Sequence, residues 1–139
     1  MDLNAGFQIE EPPVLVPWGV SESELRGLLP NGHRVTDGYY VVECSSFGGL
    51  RHQLGFYFEP RVGGKLVELE FFRREYPDLQ QSYDDFQARL EATFGPPTET
   101  TPGSWEQAMP NHRWARGRAE VTHLVYDRFG PEEHVRIRG

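Results

Sequence analysis

The stretch that decides the fold is SYDDFQARLEATFGPP, residues 82–97. Its apolar side chains recur at the spacing of one buried helical stripe, at Tyr83, Phe86, Leu90 and Phe94. Ser82 is placed to cap the first turn, because a serine oxygen accepts a hydrogen bond from a free backbone N–H there. Gly95 supplies a left-handed stop, and the prolines after it cannot continue a helix. The pattern predicts one amphipathic helix that begins at Ser82 and ends at Gly95.

A shorter helix is predicted near the start of the chain, in SESELRGLLPNG, residues 21–32. Ser21 and Glu24 have the spacing of a capping box, and leucines 25, 28 and 29 share one face. Pro30 ends this helix. Four of its positions match the later helix at one constant offset, namely Ser21, Glu24, Leu25 and Leu29 against Ser82, Asp85, Phe86 and Leu90. We interpret the match as a tandem duplication, and the alternative is chance.

Seven segments have the composition or alternation of β-strands. Three lie between the helices, at residues 39–44, 53–59 and 65–72. Gly63 and Gly64 predict a hairpin between the last two of these. Four follow the second helix, at residues 104–108, 113–116, 120–127 and 133–138. The opening residues 1–17 are predicted to form an arm that Trp18 fixes to the body.

The order of elements predicts an α+β fold, α-βββ-α-ββββ, with two helices packed on an antiparallel sheet of about seven strands. The 139 residues fit a single domain. The duplication divides it into half-units at residues 18–76 and 77–139. With the helices on one face of the sheet, we expect the other face to be open.

Two helices that end before antiparallel strands in this way resemble the tandem-repeat architecture of the β-lactamase-inhibitor-protein type. Small bacterial lipoproteins of the outer-membrane assembly machinery have that architecture too. The residues that carry the resemblance are Leu25, Leu28, Leu29 and Pro30, and Leu90, Phe94, Gly95 and Pro96. The resemblance implies a non-enzymatic protein that binds other proteins on its open sheet face. The chain departs from the pattern in having one cysteine and no lipid-attachment cysteine near its start.

Composition favours a cytoplasmic protein with a basic partner. No run of 18 apolar residues occurs, and the N-terminus has no basic and apolar signal regions, so neither a membrane span nor a secretory signal is expected. Cys44 is the only cysteine, and its apolar neighbours indicate a buried, inert thiol. The net charge is −7, with the acidic excess in residues 1–102. This charge repels phosphate and attracts basic surfaces, although solubility alone would also explain it.

No catalytic, cofactor or metal constellation is predicted. The histidines, at 33, 52, 112, 123 and 134, include no pair at metal-ligand spacing. Neither a serine elbow nor a phosphate-binding glycine pattern occurs. Glu68 and Glu70 share a strand face at a spacing that a glycosidase uses, but solvated strand glutamates are far commoner. Nucleic-acid binding has one argument, a basic and aromatic cluster of Arg113, Trp114, Arg116, Arg118, Arg136 and Arg138. These arginines could instead pair with acids of the first half.

Protein recognition is therefore the favoured function, on an acidic face with tyrosine anchors. Its predicted residues are Tyr39, Glu43, Tyr57, Glu59, Glu68 and Glu70. The expected role is that of an immunity protein or inhibitor that masks a basic partner protein. One alternative is a small enzyme or ligand-binding domain, with a pocket between sheet and helices lined by Trp105, Trp114, His123 and Tyr126. Another is a subunit of a homo-oligomer.

Overall fold

The computed structural model describes residues 1–73, 78–103, 109–127 and 130–139. The helices are α1 (Glu22–Leu28) and α2 (Leu79–Phe94). The strands before α2 are β1 (Gly6–Ile9), β2 (Val14–Pro17), β3 (His33–Thr36), β4 (Tyr39–Ser46), β5 (Leu50–Glu59) and β6 (Lys65–Phe72). The strands after α2 are β7 (Glu99–Thr101), β8 (Asn111–Arg116), β9 (Ala119–Asp127) and β10 (Pro131–Arg138).

Strands β3 to β10 form one eight-stranded antiparallel sheet in the order β3-β4-β5-β6-β10-β9-β8-β7. In each half of the chain a helix precedes four strands, and the last strands of the halves, β6 and β10, pair at the centre. Strands β1 and β2 form a separate antiparallel pair. The α+β prediction is confirmed, and the large sheet is continuous across the halves.

Helix α2 begins earlier than its sequence predicts. Asp78 is the N-cap, and its side chain accepts a hydrogen bond from the Gln81 N–H at 2.7 Å. The predicted cap at Ser82 is wrong, because this serine lies inside the helix, buried, and its hydroxyl donates to Glu133 instead. The predicted end is confirmed, since Gly95 has a φ of 79° and its N–H bonds to the Glu91 carbonyl. The predicted stripe is buried as well.

Helix α1 has the predicted capping box. The Glu24 N–H donates to Ser21 Oγ at 3.2 Å, and the Ser21 N–H donates to Glu24 Oε1 at 3.3 Å. Leu25 and Leu29 are buried as expected. Leu28 is not, because 42% of its surface is exposed.

The sequence analysis missed β3 and β7. Every residue of these two edge strands is exposed, so neither carries the apolar alternation that marks a half-buried strand. The strand predicted at residues 104–108 lies outside the described residues. The Gly63-Gly64 hairpin is confirmed, with positive φ angles of 77° and 70°.

The arm contributes to the core. Phe7, Ile9 and Val16 of the β1–β2 pair are fully buried. The Trp18 indole N–H donates to the Leu3 carbonyl at 2.7 Å, which ties the arm to its own start. The arm also meets the large sheet, because Glu11 forms an isolated bridge with Ser45 of β4.

Both helices and the arm lie against the same side of the large sheet, which we call the covered face. The Tyr40 hydroxyl donates to the Leu29 carbonyl at the end of α1. The Phe7 ring of the arm packs 5.2 Å from the Phe71 ring, and further along the sheet the His123 ring stacks on Tyr83 of α2. The opposite side is called the solvent face. No helix in the described ranges is long and apolar enough to span a membrane.

Candidate partner-binding face

One row of cross-strand partners runs across the solvent face from β4 to β9. Strand pairing aligns Tyr39 with Tyr57, Tyr57 with Glu68, Glu68 with Arg138, and Arg138 with Glu120. The side chains of a strand alternate between faces, and the apolar neighbours of these residues fill the covered face. The hydrophobic pattern therefore directs this row toward solvent.

Two stacked tyrosines form a rigid feature at one end of the row. The rings of Tyr39 and Tyr57 lie 4.4 Å apart, with an angle of 17° between their planes. Gly55 makes room for them, since a Cβ there would lie 2.4 Å from the Tyr39 hydroxyl oxygen. The Tyr57 hydroxyl donates to Glu70 Oε2 at 2.7 Å. Burial and the bond to Glu70 raise the pKa of Tyr57 far above its ordinary value, so its hydroxyl stays protonated.

Carboxylates of this face are partly balanced by arginines. Glu68 lies 3.2 Å from Arg138, and strand register places Arg136 opposite Glu70. Glu43 lies 3.2 Å from Arg51 on the neighbouring strand. The Glu68–Arg138 pair agrees with the alternative interpretation, in which these arginines pair with acids of the first half.

Five of the six predicted site residues share the solvent face of β4, β5 and β6, namely Tyr39, Glu43, Tyr57, Glu68 and Glu70. Glu59 has a local role at the end of β5. Its carboxylate accepts a hydrogen bond from the Arg61 N–H at 3.0 Å and caps the 3-10 turn Pro60–Val62.

A groove of about 520 Å³ crosses the same face over β10 and β9. Its lining is Glu68, Glu120, Thr122, Leu124, Tyr126, Glu132, His134, Arg136 and Arg138. Of these, Glu68 was predicted for the partner-binding face, Arg136 and Arg138 for the basic and aromatic cluster, and Tyr126 for a pocket between sheet and helices. Period-two alternation in β9 could have found Thr122, Leu124 and Tyr126, because their neighbours Val121, His123 and Val125 are buried.

The groove presents both signs of charge and an exposed aromatic ring. Arg136 Nη2 donates to His134 Nδ1 at 3.1 Å, which holds His134 with that nitrogen unprotonated. Burial, aided by the charge of Arg136, lowers the pKa of His134. Tyr126, at the groove wall, is 51% exposed. Such a surface matches polar and aromatic protein surfaces better than it matches an apolar ligand.

A second polar cluster lies on the covered face under α2. Glu133 Oε1 accepts from the Ser82 hydroxyl at 2.5 Å, and Glu133 Oε2 lies 2.6 Å from His123 Nε2. His123 Nδ1 lies 2.7 Å from Gln87 Oε1. Ser82 and His123 are fully buried, and the serine bonds to the carboxylate rather than to the imidazole. The cluster joins α2 to the sheet and has neither the access nor the order of a nucleophilic triad.

The pocket predicted between sheet and helices is not formed by its described members. Trp114 is fully buried and its indole N–H donates to the Gly95 carbonyl at 2.8 Å, so the ring is part of the core. His123 and Tyr126 lie on opposite faces of β9. Trp105 lies outside the described residues.

Cys44 is buried in the folded protein. Its Sγ lies 4.0 Å from Nε2 of the buried His52. Burial raises the pKa of Cys44 to about 12 and lowers the pKa of His52 to about 4. Because the thiolate is the nucleophile, this pair cannot act as a catalytic dyad near neutral pH.

Two of the arginines considered for nucleic-acid binding, Arg113 and Arg116, are engaged within the chain. Arg116 Nη2 donates to the Phe94 carbonyl at 2.6 Å, at the end of α2. Arg113 lies 3.5 Å from Glu120 and 3.9 Å from Glu99. No group of three or more metal-ligating side chains is found among residues 1–73, 78–103, 109–127 and 130–139.

No protein-family model matches the chain, and no curated protein matches it. A solved structure is similar, the crystal structure of a DUF4309 family protein, YjgB, from Bacillus subtilis subsp. subtilis str. 168. The TM-score is 0.49 and the sequence identity 12%, over 86% of this chain and 78% of that one. A likeness this distant assigns neither a family nor a function.

Proposed function

We propose that this protein is a non-enzymatic binding module that docks a partner protein on the solvent face of its large sheet. The observation that carries the proposal is the groove over β9 and β10 beside the rigid Tyr39–Tyr57 stack. Both features lie opposite the face that holds the core. The sheet thus supplies a platform whose solvent face carries polar and aromatic side chains.

The chemistry of this face is typical of protein interfaces. Tyrosine and arginine are enriched at the energetic centres of such interfaces, because each offers a large contact area together with hydrogen-bonding groups. Tyr57 lies on β5 and Tyr126 on β9, so the two tyrosines flank the central strands β6 and β10. The Tyr57 ring is held by its stack and by Glu70, so little side-chain entropy is lost on binding.

A partner with a basic surface fits the charge. The net charge of −7 raises the rate at which a cationic protein encounters this one. Within the face, the ion pairs already formed by Glu68 and Glu43 would be shared with the partner rather than broken. Masking of a basic protein by an immunity- or inhibitor-like module is the role we propose, in line with the resemblance to the β-lactamase-inhibitor-protein type.

Retention of a partner on immobilised protein tests the proposal. Wild type and the variant Leu15→Ser, whose change lies on β2, should retain the same protein at about 50 mM salt and release it at about 0.5 M. The double variant Tyr57→Ala, Tyr126→Ala should not retain it. Equal retention by the double variant would overturn docking on the solvent face.

A small charged ligand is the second candidate, because the groove carries carboxylates, guanidinium groups and an imidazole within one cavity. A ligand at 100 times its dissociation constant would stabilise the fold by about 2.7 kcal/mol. A thermal-shift screen of zwitterionic metabolites would detect it. A shift abolished by Arg136→Gln would favour this candidate over a protein partner.

A further inference from the structure

Strand β4 is an edge strand for part of its length. Strand β3 pairs with it only as far as Val41, whose partner is His33. Beyond the gap, Ser45 bridges Glu11 of the arm. Between these two contacts the outer edge of β4 has no neighbouring strand among the described residues.

The backbone of Glu43 faces outward in this gap. Ser45 donates its N–H to the Glu11 carbonyl at 3.0 Å, and its own carbonyl accepts from the Glu10 N–H at 3.0 Å. Backbone groups along a strand alternate in direction, so those of Glu43, two residues earlier, point to the same edge. Within the described part of the chain, neither this N–H nor this carbonyl has a hydrogen-bond partner on that edge.

A notch of about 470 Å³ lies at this position. Its lining is Glu11, Pro12, Leu28, Leu29, Pro30, Asn31, Val42, Glu43 and Arg51. Pro12 and Pro30, which line the notch, have no backbone N–H to donate to an added strand. Leu28 forms an apolar wall of the notch. It is exposed, whereas Leu25 and Leu29 of the same segment are buried.

We propose that this notch binds an extended segment of a partner protein, which pairs with Glu43 as one antiparallel β-bridge. The residue opposite Glu43 places its side chain on the solvent face, beside Arg51 and the Glu43 carboxylate. Its two neighbours point to the other side, where Leu28 lines the notch. Arg51 already pairs with Glu43, so the Glu11 carboxylate gives the lining of the notch its net negative charge. The central residue is therefore a lysine or arginine, and its neighbours are aliphatic because Leu28 is exposed.

This edge site is distinct from the groove over β9 and β10, and binding at either does not require the other. The segment gains two backbone hydrogen bonds and buries apolar side chains, the mode by which extended peptides add to a sheet edge. The Glu43 N–H and carbonyl form the backbone hydrogen bonds, and Leu28 provides the apolar contact.

Amide NMR of the whole protein with a defined tripeptide tests the site. The probe is acetyl-Leu-Lys-Leu-amide, and its controls are acetyl-Ala-Lys-Ala-amide and the probe with an N-methylated lysine. We expect the probe to shift the Glu43 amide and the Leu28 methyl resonances. Both controls should bind at least about tenfold more weakly, the first for lost apolar contact and the second for a lost backbone donor. Leu28→Ser should weaken the probe similarly, whereas Leu15→Ser, at an exposed leucine elsewhere, should not.

Equal binding of the probe and its N-methylated form would overturn the β-bridge. Equal loss in Leu28→Ser and Leu15→Ser, or no shift at Glu43 at all, would overturn the site. Concentration-dependent broadening at Glu43 without peptide would also overturn the proposal, since the occupant would then be a second copy of this chain. If the protein bound this peptide but retained no partner on the groove, the edge site would stand and only the proposed function would be overturned.

Discussion

The guanidinium of Arg138 lies 3.2 Å from the carboxylate of Glu68, across the seam where the last strands of the two halves pair. The arginine side chain is 72% exposed and the glutamate 16%. An ion pair with one partner in water gains little free energy, because solvent screens the attraction. We interpret the pair as a feature of the charge distribution on the solvent face rather than as a source of stability.

We therefore predict a weak coupling between Arg138 and Glu68. A double-mutant cycle of Arg138→Ala and Glu68→Ala, measured by urea unfolding, should give a coupling of at most about 1 kcal/mol. A coupling above about 2 kcal/mol would mean that the pair fixes the two halves together.

The buried pair under α2 should behave differently. His123→Ala leaves the Glu133 carboxylate buried with the Ser82 hydroxyl as its remaining partner, and we expect a loss of roughly 3–5 kcal/mol of unfolding free energy. The matched control is His33→Ala on the exposed edge strand β3, expected within about 0.5 kcal/mol of wild type. A loss below about 1 kcal/mol in His123→Ala would show that the cluster does not hold the helix to the sheet.

Stability should fall as the pH drops from about 6.5 to about 4. The unfolded chain protonates His52 below its ordinary pKa near 6.5, whereas burial lowers the pKa of His52 in the folded protein to about 4. Protons therefore favour the unfolded state across this window. The contribution of His52 is about 3 kcal/mol, present at pH 7 and lost at pH 4. Burial lowers the pKa values of His112 and His134 too, with the same sign.

Urea unfolding of wild type and His52→Leu at several pH values isolates this contribution, because acid-sensitive carboxylates are common to both proteins. The pH slope of the variant between 6.5 and 4 should be shallower by about one proton. Identical slopes would show that His52 titrates in the folded protein at its ordinary pKa.

Cys44 should be inaccessible to thiol reagents until the protein unfolds. Burial and a pKa raised to about 12 leave almost no thiolate at pH 8. We expect labelling by an aromatic disulfide reagent to follow the rate of unfolding, with one thiol released per chain in denaturant. Fast, complete labelling of the folded protein would contradict the burial of this side chain.

Local patterns predicted much of the fold. Strand β6 was predicted with its observed bounds from the alternation of its apolar residues, and Leu69 and Phe71 are buried as that alternation requires. Val67, predicted to point inward, is half-buried, and Leu66 is buried in its place next to the register shift at Tyr57 and Phe58. Strands β3 and β7 could not be predicted, since both of their faces meet solvent and apolar alternation is absent. Ser82 was mistaken for a cap because its true partner, Glu133, comes from a distant strand.

The candidate site was predictable only in part, for a related reason. Alternation placed Tyr39, Tyr57 and Glu70 on one face, and the structure brings them together. Arg136 and Arg138 lie opposite Glu70 and Glu68 because of the register of the β6–β10 pairing. That register is set by packing between the halves, and a local pattern does not contain it.

Docking on the solvent face is tested most directly by site-specific photo-cross-linking in extracts of cells that naturally produce the protein. The photoreactive residue p-benzoylphenylalanine would replace Tyr57 or Tyr126 on the solvent face, and Arg26 on exposed α1 as the control. We predict one and the same protein adduct from positions 57 and 126 at about 50 mM salt, less of it at about 0.5 M, and none from position 26. No adduct from the face positions, or the same adduct from position 26, would contradict partner binding on this face.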